Sequence, residues 1–157
     1  GFILVYLLRY MFDPRPYFYN IVETVRQSTG LPVYYLGGGV SEMIQPHSKV
    51  LNGLGPEEFI NLFKNAAFVI TDSFHGTAFA TIFNRPMLGV VKKIDAGDGR
   101  IVTLRKQVGG EKSVIQYDNP VDFNPSQIND YTCDINLVEQ FRKESLLVLK
   151  TMIETFN

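Results

Sequence analysis

Two kinds of apolar pattern alternate along the first two thirds of this chain, and the alternation decides what it can fold into. Phe2 to Leu8 is an unbroken apolar run ended by Arg9, with the length and character of a strand buried on both faces. Over Pro14 to Ser28 the apolar residues Phe18, Ile21, Val22 and Val25 fall instead at i, i+3, i+4 and i+7, one face of a helix, and Gly30 is its stop. Strand-like runs return at Pro32 to Leu36, Ala67 to Thr71 and Pro86 to Val91. Ahead of the third run, Pro56 opens another helix with Phe59, Leu62, Phe63 and Ala66 as its buried face. Proline lacks a donor where none is needed, and Glu57 and Glu58 suit the positive end of the helix dipole. Strands separated by helices give a parallel sheet with helices on both faces, an α/β, Rossmann-like fold.

The remaining segments carry weaker signals. Gly37 to Leu54 holds no period and reads as a long loop; Ala78 to Phe83 reads as a short helix, as does Ile101 to Lys106 inside the stretch Lys92 to Gly110. Asp118 to Asp130, with Asn119-Pro120 and Asn124-Pro125, reads as a connector. A final helix from about Asp134 to Phe156 carries Val138, Phe141, Ser145, Val148, Met152 and Phe156 on one stripe. It is expected to pack across the sheet or against a neighbouring domain.

With 157 residues, 45% of them apolar, the chain can bury one core without disulfides or a structural metal, so residues 1–157 are read as a single domain. Cys133 is the one cysteine, which excludes an intrachain disulfide and points to a reducing compartment, the cytoplasm. No apolar run approaches the ~20 residues of a membrane-spanning helix, and the amino-terminal run lacks the basic leader of a secretory signal. Gly1 stands directly before a core strand without an initiator Met, so the expectation is a piece of a longer protein. A net charge of −1 gives no footprint for nucleic acid. Yet seven of the fifteen basic residues lie between Arg85 and Lys112, against three acids, a stretch suited to a small anion.

The chemistry concentrates at Thr71-Asp72-Ser73-Phe74-His75-Gly76-Thr77, between the third strand and a short helix. In open parallel sheets ligands bind beyond the carboxyl ends of the strands, where a following helix presents unpaired N–H groups and partial positive charge. Ser73 and Thr77 offer hydroxyls to an anionic oxygen, and Gly76 permits close approach. His75 is the side chain of the turn able to move a proton near neutral pH. Arg100 offers a guanidinium to carboxylate or phosphate, and Lys92 and Lys93, just past the fourth strand, offer point charges. Gly37-Gly38-Gly39 lacks the spacing of a dinucleotide loop. His47 has no partner at metal-ligand spacing, so no metal site is expected, and Cys133 reads as a small structural residue.

The stretch Gly55-Pro56-Glu57-Glu58-Phe59, then Asn65 to Phe79 with its Ser73-Phe74-His75-Gly76 core, then Asn84-Arg85-Pro86, resembles the signature region of the polysaccharide pyruvyl transferases. The resemblance continues through Gly99-Arg100-Ile101 to Arg142-Lys143-Glu144-Ser145. It implies the carboxy-terminal half of a two-domain enzyme, similar to the carboxy-terminal domain of a B-type glycosyltransferase fold, with the amino-terminal domain absent from this chain. It further implies phosphoenolpyruvate as donor substrate, no cofactor, and a saccharide or lipid-linked saccharide as acceptor, the product being a pyruvate ketal. On this reading His75 is the acid or the proton donor on the phosphate side, and Ser73, Gly76, Thr77, Lys92, Lys93 and Arg100 bind the donor. The isolated half is expected to be inactive. Two rivals stand beside it: a nucleotide-sugar glycosyltransferase of the same architecture, and a non-catalytic domain binding a saccharide or a partner protein. Between His75 and Arg85 there is no Asp or Glu to grip a ribose, which counts against the first.

Overall fold

A computed structural model describes residues 1–9, 12–37, 48–94, 99–119 and 123–155. Six parallel strands, β1 (Ile3–Tyr6), β2 (Val33–Leu36), β3 (Ser48–Leu51), β4 (Phe68–Thr71), β5 (Met87–Val91) and β6 (Val114–Gln116), form one sheet in the order β3-β2-β1-β4-β5-β6. Five helices accompany it: α1 (Tyr17–Thr29), α2 (Pro56–Asn65), α3 (Phe74–Ile82), α4 (Gly99–Gln107) and α5 (Ile135–Thr155). The chain winds outward from β1 to β3, returns past β1 to β4, and winds outward again in the other direction. That is the doubly wound Rossmann topology.

Strand side chains alternate between the two faces, and each face has its own helices. Ile3, Val5, Phe68, Ile70, Leu88 and Val90 meet Phe18, Ile21, Val22 and Val25 of α1. On the other face Leu4, Val69 and Met87 meet Phe63 of α2, Ala66 just past its end and Ala80 of α3. Phe18, Phe63 and Phe68 are fully buried, each stabilising the fold by about 1.5–3 kcal/mol. Tyr6, Phe59, Phe63 and Phe79 form a ring cluster that seats α2 and α3 on the end of β1. Helix α1 stops at Gly30, whose φ of 68° is left-handed and whose N–H reaches the Arg26 carbonyl at 2.8 Å. Helix α2 starts as expected at Pro56, with the Glu58 carboxylate reaching back to the Gly55 N–H at 2.6 Å.

Several expectations need correction. Within Gly37 to Leu54 lies the edge strand β3, paired only with β2, and β6 forms the opposite edge; neither carries an apolar run, since each packs on one neighbour and is half solvated. Helix α3 begins at Phe74, four residues before the expected Ala78, so His75, Gly76 and Thr77 are helical. The connector contains a 3-10 run, Pro125–Tyr131. Tyr10, Gly38, Gly39, His47 and Phe156 lie outside the described residues.

Candidate active site

The outward windings part between β1 and β4, where Tyr6 and Thr71 are register partners, so a crevice opens beyond their carboxyl ends. The two ends are stitched together. Thr71 Oγ1 donates to the Tyr6 carbonyl at 2.6 Å and accepts from the Ser73 N–H at 3.0 Å. The Asp72 carboxylate accepts from the N–H groups of Leu8 at 2.7 Å and Arg9 at 2.8 Å, and Arg9 sits in the left-handed region at φ 54°. Burial pushes the Asp72 carboxyl above the usual carboxylate range, opposed by those two N–H bonds. No local sequence signal marks this role of Asp72, because its partners lie more than sixty residues away along the chain.

Ser73 caps α3. Its backbone is extended (φ −99°, ψ 134°), its Oγ accepts from the Gly76 N–H at 3.4 Å, and its carbonyl accepts from both the N–H (2.9 Å) and Oγ1 (3.0 Å) of Thr77. Both hydroxyls are therefore engaged within the turn, and both residues are buried. Gly76 lies against the end of β4: a Cβ there would stand 2.5 Å from Thr71 Oγ1 and 3.1 Å from Cδ1 of Tyr6. The close approach that Gly76 permits in this structure is helix on strand. Of the first N–H groups of α3, those of Phe74 and His75 have no acceptor among the described residues.

His75 is exposed, on the solvent side of this first turn, its ring 6.0 Å from that of Phe74. The Arg100 guanidinium carbon stands 5.2 Å from the centre of the same Phe74 ring, a cation–π contact made from the start of α4. The structure thus brings Arg100 to the His75 turn. Lys92 and Lys93, exposed just beyond Val91, share the carboxyl edge of the sheet but stand one strand over. From Phe74 and Arg100 a groove of about 860 Å³ runs between α3, α4 and α5, lined mainly by apolar side chains such as Ile82, Leu104 and Leu146. Among the described residues, no three His, Cys, Asp or Glu side chains gather in a way that could hold a metal ion.

Residues 2–91, more than half the chain, match the polysaccharide pyruvyl transferase family. The chain belongs to that family. The matched span runs from β1 to the end of β5 and contains the whole His75 turn; Lys92, Lys93 and Arg100 lie beyond it. No curated protein matches the chain. Among solved structures it is similar to the UDP-GlcNAc 2-epimerase of Methanocaldococcus jannaschii in complex with UDP-GlcNAc and UDP, at 15% identity and a TM-score of 0.53, over 92% of this chain and 45% of that one. It is likewise similar to S. aureus MnaA in its UDP co-structure, at 16% identity and a TM-score of 0.50, over 96% of this chain and 45% of that one. At such identities the likeness is one of fold, a Rossmann-like domain of the kind found in B-type glycosyltransferases, and this pyruvyl transferase domain spans under half the length of those chains.

Proposed function

We propose that this domain holds phosphoenolpyruvate while its pyruvyl group passes to two hydroxyls of a saccharide, and that His75 is the proton donor. The observation carrying this reading is the exposed imidazole beside two unpaired N–H groups at the start of α3, at the switch point of a chain belonging to the pyruvyl transferase family. Protonation of the enol methylene makes a methyl group and leaves an oxocarbenium-like carbon. The first hydroxyl attacks that carbon, phosphate departs, and the second hydroxyl closes the ketal. Of the two hydroxyl protons released, one replaces the proton given to the methylene and the other leaves with phosphate. This chemistry asks for an acid near the methylene and for fixed positive potential around the phosphate and carboxylate.

In this scheme the N–H groups of Phe74 and His75 receive an anionic oxygen, while Ser73, Gly76 and Thr77 fix the turn that aims them. Arg100 approaches from α4 as a second cation, steadied on the Phe74 ring. Lys92 and Lys93 add positive potential along the same edge. No cofactor enters the scheme, and a saccharide or lipid-linked saccharide is the acceptor. Because the domain spans under half the length of its structural neighbours, the acceptor's wall of the cleft is assigned to a second domain, and the chain alone is expected to lack turnover. The lone Cys133 fits a cytoplasmic setting, and no helix among the described residues is long and apolar enough to cross a membrane.

Calorimetry with phosphoenolpyruvate tests the donor seat: His75→Ala together with Arg100→Ala should weaken binding about tenfold or more. Unchanged affinity in the double variant ends the assignment, and phosphate release by the 157-residue chain with donor and sugar ends the claim that it is inactive alone. The nucleotide-sugar reading is favoured by the two solved structures, both holding UDP. A thermal-shift comparison of phosphoenolpyruvate with uridine and cytidine diphosphates separates the two, a larger shift from either nucleotide deciding for the rival.

A further inference from the structure

Arg9 stands at the mouth of the switch-point crevice without a stated task. It follows β1, whose carboxyl end faces that of β4, and its N–H is held 2.8 Å from the Asp72 carboxylate, which directly precedes the Ser73 cap of α3. Its backbone is therefore pinned within a few residues of His75, on the opposite lip of the crevice. The pinning imposes a φ of 54°, a conformation glycine adopts freely and a side chain resists. A bulky cationic residue thus occupies a backbone position where the side chain is a burden to the local fold.

Arg9 as a residue is half buried, and among the described residues its guanidinium makes no hydrogen bond and no ion pair. It feels the carboxylates of Asp72 and Asp13 at a distance. Asp13 is committed to Arg15 through a bidentate contact, with Arg15 Nε donating at 2.8 Å to Oδ1. Asp72 uses Oδ1 and Oδ2 on the Leu8 and Arg9 N–H groups. Five N–H donors on a planar fork are left without an acceptor among the described residues, on a backbone pinned across the switch point from the unpaired N–H groups of Phe74 and His75.

We propose that Arg9 binds one anionic group of a small doubly anionic ligand whose other anionic group rests on the start of α3. This rests on the donor-site reading above and adds to it a residue of the β1 lip, so that the two lips grip the ligand from opposite sides. A guanidinium pairs with a carboxylate or a phosphate bidentately, and two fixed contacts on a compact dianion give orientation as well as affinity. Asp72 is then the positioning residue, fixing the turn from which Arg9 reaches.

The test uses Arg9→Gly, which removes the guanidinium while suiting the backbone, and Arg9→Lys, which keeps the charge without the fork. Phosphoenolpyruvate, pyruvate and inorganic phosphate are titrated calorimetrically into each, with the thermal midpoint recorded. Arg9→Gly is expected to bind phosphoenolpyruvate about tenfold or more weakly with little change in midpoint, Arg9→Lys to fall between, and affinity for either pyruvate or phosphate to fall in parallel. A lowered midpoint with unchanged phosphoenolpyruvate affinity would show that Arg9 only offsets the half-buried Asp72 charge, and the proposal would be overturned while the donor site stood. No phosphoenolpyruvate binding by the unmodified chain at millimolar concentration would overturn both. Should Arg9→Gly fail to fold, Arg9→Gln is judged by the same affinities.

Discussion

At the scale of single residues, Asp72 is the hinge between packing and chemistry. Its side chain leaves water to receive two backbone N–H groups from across the switch point, and burial is the larger influence on its acidity. A carboxyl pushed upward by folding holds its proton more tightly in the folded chain than in the unfolded one. Its contribution to stability is thus full below the unfolded value, about pH 4, and declines as pH rises through the folded value. Asp72→Asn removes that dependence. The thermal midpoint of the unmodified protein minus that of the variant should therefore fall as pH is raised from about 4, and parallel curves would show that the side chain ionises as it does in the unfolded chain. This role could not be read from the sequence, because it depends on β1 and β4 being neighbours. The His75 turn was legible because its unusual density of polar residues lies in one short stretch.

Among elements, the decisive contact is Arg105. This residue of α4 is fully buried, yet its guanidinium is met by neutral groups: Ser113 Oγ at 2.8 Å, Thr81 Oγ1 at 3.2 Å, the Tyr131 and Thr132 carbonyls at 3.1 and 3.2 Å, and Cys133 Sγ. Gly110 leaves it room, since a Cβ there would stand 2.4 Å from Nη2. One side chain thereby joins α3, α4, the short turn before β6 and the segment leading into α5. Replacing it with Met removes the hydrogen bonds to Ser113, Thr81 and the Tyr131 and Thr132 carbonyls together and should destabilise the fold by about 3 kcal/mol. In urea unfolding, Arg105→Lys should recover little of the loss, because an ammonium cannot span the same partners; full recovery would mean that charge alone matters. Elements were legible in proportion to how completely they are buried. The strands β1, β2, β4 and β5 announced themselves as apolar runs, whereas β3, with Lys49 exposed in a four-residue span, and the three-residue β6 did not. Helix α3 was read too short because its first turn is written in Ser, His and Gly, residues valued there for capping and close packing rather than helix propensity.

For the whole molecule, α5 sets the terms. Val138 is its one residue buried among those described, while Phe141, Leu146, Val148, Leu149, Met152 and Ile153 are exposed along a helix of 21 residues. An apolar stripe of that extent is suited to association. The purified chain should self-associate at high concentration, and Leu146→Glu with Leu149→Glu should return it to monomer in sedimentation experiments without lowering its unfolding midpoint. Monomeric behaviour of the unmodified chain would contradict this. The tight seal of Gly76 on Thr71 and Tyr6 has a different kind of consequence. A platform packed this closely from beneath has little room to reshape itself around different guests, so under the proposed function discrimination among sugars falls to groups other than this turn.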